Sequence, residues 1–145
     1  METKVDARTG LEILDRDECL ELVRGSVIGR LAVSVDNHPL VFPVNFVLDG
    51  STVVLRTNEG TKLWAAREAP VVFECDGIDT TYHTGWSVMI AGRCEAPHNP
   101  LERARLAELP LRPWCDADKP VWLVVRPNSI SGRRIPAHGA QRCTS

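Results

Sequence analysis

One stretch of the 145-residue chain has residue types and spacing suited to chemistry: Leu55-Arg56-Thr57-Asn58-Glu59-Gly60-Thr61-Lys62. A strand ending in Arg-Thr, a glycine for a tight turn and Thr-Lys opening a helix converge a guanidinium, an ammonium, two hydroxyls and helix-start amides. All are donors and all favour a dianion, a phosphate first of all. The same residues also fit a capped helix flanked by two solvated cations, and spacing alone favours that plainer arrangement. A second stretch, Phe42-Pro43-Val44-Asn45-Phe46, sets a proline and an asparagine inside an apolar strand. Proline removes a ladder donor and asparagine brings four hydrogen-bonding sites that need partners. If pairing stops there, backbone groups are left to read the edge of a planar heterocycle; a bulge with Asn45 bonded to a neighbouring loop is the equal alternative. Third is Gly85-Trp86-Ser87-Val88. Its tryptophan suits a core, and also suits packing beside a ring system or a partner subunit. His83, just ahead of it, fits a solvated loop better than a place facing a ligand cleft.

The elements that must position these residues follow from periodicity. Asp15 and Glu18 form a capping-box pair for a helix running to about Arg24, burying Cys19, Leu20 and Val23 and stopping at Gly25. Leu31, Val33 and Val35 then alternate with Arg30, Ala32 and Ser34, the two-residue repeat of a half-buried strand. Asp36-Asn37-His38-Pro39 and Asp49-Gly50 read as turns around strands at Leu40–Leu48 and Thr52–Thr57. A short helix over Lys62–Glu68 ends before Pro70, and further strands fall at Val71–Asp76 and Trp86–Glu95. A helix carrying Leu101, Ala104, Leu106 and Leu109 follows, then an irregular crossing marked by Pro110, Pro113 and Pro120. Val121–Arg126 is a last strong strand that Ile130–Ile135 extends or follows. Many short strands, hairpin turns and no βαβ rhythm predict a mainly β, antiparallel barrel with short helices. Residues 1–10 read as a loose arm, 11–136 as one domain and 137–145 as a tail.

Composition bounds the function. Hydrophobic residues make up 43%, enough for a packed core. A net charge of −2 argues against a protein whose main task is gripping nucleic-acid phosphates, although Arg126, Arg133, Arg134 and Arg142 leave the end of the chain basic. Met1 to Gly10 lacks the apolar centre of a cleavable signal and no apolar run is long enough for a bilayer, so a cytoplasmic location without membrane partners is expected. The five cysteines, Cys19, Cys75, Cys94, Cys115 and Cys143, are scattered without a C-x-x-C and read as reduced thiols. No two histidines sit at ligand spacing on one element, so no metal site is expected.

Taken in order, Val27-Ile28-Gly29-Arg30-Leu31, Phe42-Pro43-Val44-Asn45-Phe46, Arg56 to Lys62, Gly85-Trp86-Ser87-Val88 and Gly132-Arg133-Arg134-Ile135 resemble the pyridoxamine 5'-phosphate oxidase-like, FMN-binding split-barrel proteins. The resemblance runs from about Leu14 to Ile135. It implies a six-stranded split β-barrel that forms a homodimer and holds FMN at the interface. Carried over by position, Arg56 and Lys62 pair with the FMN phosphate, helped by Thr57 and Thr61, while Pro43, Val44 and Asn45 lie along the isoalloxazine. Trp86 and Ser87 approach the partner subunit's flavin, and Arg133 reaches the cofactor from the last strand. Pyridoxamine phosphate oxidases proper carry an Arg-x-His near their end. Here Arg133-Arg134-Ile135-Pro136 is followed by His138, so vitamin B6 oxidation is not expected. The chain looks more like the shorter branch that includes nitroimidazole-resistance reductases. That implies an oxidoreductase passing hydride through flavin N5 to a small electron-poor molecule, a nitro compound or a quinone. The alternatives are a flavin-binding or storage module without turnover, and an F420-dependent reductase of the same fold. F420 has a long acidic tail that calls for a basic groove, and the sequence marks none beyond Arg56 and Lys62.

Overall fold

The computed structural model describes residues 3–111 and 121–137. Pro113, Pro120, His138, Arg142, Cys115, Cys143 and the tail beyond Ala137 lie outside them. The elements in chain order are β1 Lys4–Val5, β2 Glu12–Leu14, α1 Arg16–Arg24, β3 Ile28–Val35, β4 His38–Asn45, β5 Val47–Asp49, β6 Thr52–Thr57, α2 Lys62–Ala65, β7 Ala69–Asp79, β8 Thr84–Glu95, α3 Pro100–Ala107 and β9 Val121–Ile135. Strands β1, β2 and β5 have three residues or fewer; the six long strands are the split barrel expected from the sequence.

Every strand pair is antiparallel, and the sheet runs β1-β2-β9-β8-β7-β3-β4, with β6 joining β5 to β9. Local chemistry sets the boundaries. Asp15 Oδ1 accepts the Glu18 backbone N–H at 2.9 Å and starts α1, whose buried face is Cys19 and Val23. Leu20 is only half-buried, and the Glu18 carboxylate lies 3.7 Å from Arg134 instead of closing a capping box. Asp36 and Asn37 both take positive φ, 51° and 63°, the two-residue turn that closes the β3–β4 hairpin. The stretch read as a loose arm carries β1, folded back onto β2 through the turn at Asp6–Gly10.

Several strands are longer than the periodicity indicates. Pro70 does not merely end a helix; it sits inside β7, paired with Arg93, and α2 stops at Ala65. Gly77, which looks like a break, lies under the Trp86 ring across the β7–β8 hairpin: a Cβ there would fall 2.6 Å from the indole nitrogen. The two final segments are one 15-residue strand with a bulge opposite Ala91/Gly92. Leu31, Leu55, Phe73, Ile90 and Leu123 fill the barrel; Val54, Val124 and Leu106 form a smaller cluster where α3 covers the sheet. Arg126 ties that helix down, its Nε 2.6 Å from Glu95 Oε2 and its Nη2 2.6 Å from Glu102 Oε1.

Gly92 sits where a Cβ would strike the Arg126 carbonyl oxygen, a backbone atom that cannot swing aside. Gly92→Ala is expected to destabilise the fold by about 2 kcal/mol, read as a lower denaturation midpoint in guanidinium.

Candidate functional site

The Arg56 to Lys62 turn is built from three constraints. Strand β6 is locked by β5 on one side and β9 on the other. Gly60, at φ +82°, turns the chain. Thr61 then caps α2, its Oγ1 accepting the Trp64 N–H at 3.0 Å and donating to Asn58 O at 2.9 Å. Thr57, buried although polar, shares a 3.0 Å hydrogen bond with Thr61 between their hydroxyls. The turn faces β4, and Phe42, Pro43, Val44, Asn45, Arg56, Thr57, Thr61, Lys62 and Leu63 line one groove of about 240 Å³. Seven of the ten residues singled out in the sequence therefore converge.

The reason β4 contributes differs from the sequence expectation. Pairing does not stop at Pro43: the β3–β4 register continues through Pro43↔Arg30, Val44↔Gly29 and Asn45↔Ile28. Strand β4 is instead the last in the sheet, with a neighbour on one side only, which is where a proline is tolerated. Its open edge lines the groove. Asn45 Nδ2 donates weakly, at 3.5 Å, to Val27 O.

The groove carries two cations without ion pairs among the described residues, one of them with a buried donor. Neither Arg56 nor Lys62 has a carboxylate partner among the described residues, whereas Arg126, Arg133 and Arg134 near the end of the chain are matched. Arg126 holds Glu95 and Glu102, Arg134 lies 3.6 Å from Glu12, and Arg133 lies 4.0 Å from Asp6. The Arg56 Nε is buried and makes no hydrogen bond among the described residues. A buried donor left unsatisfied is costly, so this atom points to a missing acceptor. The guanidinium itself is stacked on Trp122, 4.7 Å from the ring centroid.

Trp86, Ser87 and Arg133 are not brought to this groove. They line a second one of about 760 Å³ with Glu74, Asp76, Ile78, His83 and Ile135. Ser87 pairs with Asp76 and Arg133 in adjacent strands. Trp86 is half-buried, packing on the core while its edge reaches the groove, and His83 is exposed on the hairpin loop at φ +51°. Arg30, on β3, bridges Glu74 at 3.1 Å and Asp76 at 2.9 Å beside this groove. Burial, reinforced by the neighbouring Asp76, pushes the Glu74 carboxyl up, with Arg30 opposing. No sequence signal marked this trio, because its members meet only through the β3–β7 pairing.

Cys19, Cys75 and Cys94 are buried free thiols. Among the described residues no group of three or more His, Cys, Asp or Glu is placed to hold a metal. No helix among them is long and apolar enough to cross a membrane.

A sequence model of the pyridoxamine 5'-phosphate oxidase family matches residues 15–134. The chain belongs to this family. Among solved structures it is similar to an FAD binding protein from Mycobacterium smegmatis, with 37% identity, TM-score 0.75 and coverage of 84% of this chain and 96% of that one. A conserved protein of unknown function from Corynebacterium diphtheriae is 30% identical with TM-score 0.71, covering 85% of this chain and 96% of its own. An uncharacterized protein of Mycobacterium tuberculosis is 30% identical over 130 residues, 86% of this chain and 85% of that protein. The family match takes in the whole first groove and most of the second, from the helix preceding β3 to the Arg133-Arg134 pair.

The buried thiols carry a pH consequence. Burial pushes Cys94 from an ordinary 9.0 up to about 12, and raises Cys19 and Cys75 as well. As pH rises past the unfolded value, the unfolded chain loses thiol protons that the folded chain keeps, so stability falls from about pH 9 towards pH 12. Denaturation midpoints measured between about pH 8 and about pH 10.5 are expected to drop, and Cys94→Ala to flatten that drop.

Proposed function

We propose that this protein is a homodimeric flavoprotein that binds FMN and acts as an oxidoreductase on a small electron-poor molecule such as a nitro compound or a quinone. The observation that carries the reading is the buried Arg56 Nε, without an acceptor among the described residues, in a groove that also presents Lys62 and the Thr57–Thr61 hydroxyl pair. Two cations without a carboxylate partner among the described residues match the near-dianionic phosphate at the end of FMN. Arg56 and Lys62 neutralise that phosphate, the Thr57–Thr61 hydroxyl pair holds the turn that presents them, and the open edge of β4 at Pro43, Val44 and Asn45 borders the ring. The bound flavin supplies a two-electron carrier able to pass hydride to an acceptor.

The family and the FAD binding relative support a flavin. The same anchor accepts the first phosphate of FAD, and chromatography of the flavin released on denaturation tells the two apart. The F420 alternative needs further free cations for an acidic tail; Arg126, Arg133 and Arg134 instead lie beside carboxylates.

The outer sheet face supports the homodimer. Register places Ala91, Val72, Ala32 and Val41 in a line across four strands, with Met89 in the next row. Val41 is 63% and Met89 52% exposed, an apolar surface that no helix of the described chain covers. A second copy seated there can bring its own Trp86, Ser87 and Arg133 to the flavin held at Arg56.

Two linked measurements test this. Dithionite-reduced, flavin-loaded protein is expected to be reoxidised by menadione or nitrofurazone under anaerobic conditions faster than free reduced flavin is; reoxidation no faster than free flavin favours a storage module. Met89→Arg is expected to elute as a monomer and take up less flavin, whereas a Met89→Arg dimer with full uptake contradicts an interface on this face.

A further inference from the structure

We infer that Trp122 is a positioning residue for the phosphate-binding Arg56, a role that rests on the flavin-phosphate reading above. Arg56 and Trp122 are direct cross-strand partners in the β6–β9 pairing, which brings side chains on one face of the sheet into contact. The Arg56 guanidinium carbon lies 4.7 Å from the indole centroid. Stacking engages the flat face of a guanidinium and leaves its five edge donors free, so the indole fixes the group without consuming any of them.

The remaining surroundings agree. Among the described residues Arg56 has no carboxylate partner, its Nε has no acceptor, and the indole is the one partner that orients the side chain. Trp122 is itself anchored: it packs against the Val54, Leu106 and Val124 cluster beneath α3. The other stacked pair among the described residues differs in kind. Arg67 lies 4.6 Å from the Trp64 ring, but it is exposed and its Nη1 already donates to the Trp64 carbonyl at 3.1 Å. Only the Arg56 pair combines a fixed guanidinium, an unused buried donor and an adjoining groove. A long flexible side chain held in place before its ligand arrives loses less freedom on binding, and the benefit falls specifically on the phosphate.

The test separates the phosphate from the ring. FMN and riboflavin are titrated separately into the flavin-stripped full chain, following flavin fluorescence, for wild type, Trp122→Phe and Trp122→Leu. Wild type is expected to prefer FMN. Trp122→Leu is expected to lose about threefold to thirtyfold in FMN affinity, the range of a partly desolvated cation–π contact, with riboflavin affinity unchanged. Trp122→Phe, with a smaller aromatic face, falls between them and decides the question if the leucine variant does not fold. A variant ratio equal to that of wild type, or an equal loss for both flavins, overturns the role of Trp122 while the phosphate anchor stands. A wild type that binds the two flavins alike overturns the anchor, and the positioning role with it.

Discussion

Strand β9 is the constraint on which the remaining structure depends. Its 15 residues hydrogen-bond β6 near one end, β2 near the other and β8 along most of its length. Each candidate groove is fixed through it: the first because β9 holds β6 and sets Trp122 under Arg56, the second because it carries Arg133 beside Ser87. Eleven residues separate Trp122 from Arg133, about 36 Å of strand. The strand that builds both grooves also holds them apart within one protomer. In the proposed homodimer, a second copy on the apolar face across β8, β7, β3 and β4, which no helix among the described residues covers, would bring the two sets of residues to one cofactor site.

The electrostatics follow the same division. Most of the arginines around the barrel sit beside acids, from Arg30 with Glu74 and Asp76 to Arg105 with Asp49. Half-exposed pairs of this kind add little stability but leave little charge available for a ligand. Arg56 and Lys62 stand outside the pattern, as do the exposed Arg16, Arg67 and Arg103, but the buried Nε of Arg56 incurs a desolvation cost that nothing in the described chain offsets. A group tolerated at that cost is one whose partner arrives from outside, which is the physical core of the flavin-phosphate reading.

How much was legible in the sequence depended on range. The Asp15 cap, the Asp36-Asn37 turn and the alternation of Leu31, Val33 and Val35 are local signals, and the structure follows them. Arg56, Thr57, Thr61 and Lys62 stood out because seven residues of sequence hold all four. The edge position of β4 was not legible: a proline inside an apolar run fits a break and an edge strand equally, and only sheet order separates them. Trp122 was missed because a tryptophan in an apolar strand reads as core; its contact with Arg56 comes from a pairing between distant parts of the chain. The Arg30–Glu74–Asp76 trio is hidden for the same reason, and β7 outruns the expected Val71–Asp76 because Pro70 resembles a strand boundary.

The central claim is that Arg56 and Lys62 hold the phosphate of a bound flavin. It is tested most directly by titrating FMN into the full-length protein and its Arg56→Ala and Lys62→Ala variants, following the visible flavin bands. The account predicts saturable uptake by the wild type and about tenfold or greater weakening in each variant, the worth of one charged hydrogen bond. A wild type that takes up no flavin, or variants that bind FMN as tightly as the wild type, would contradict it.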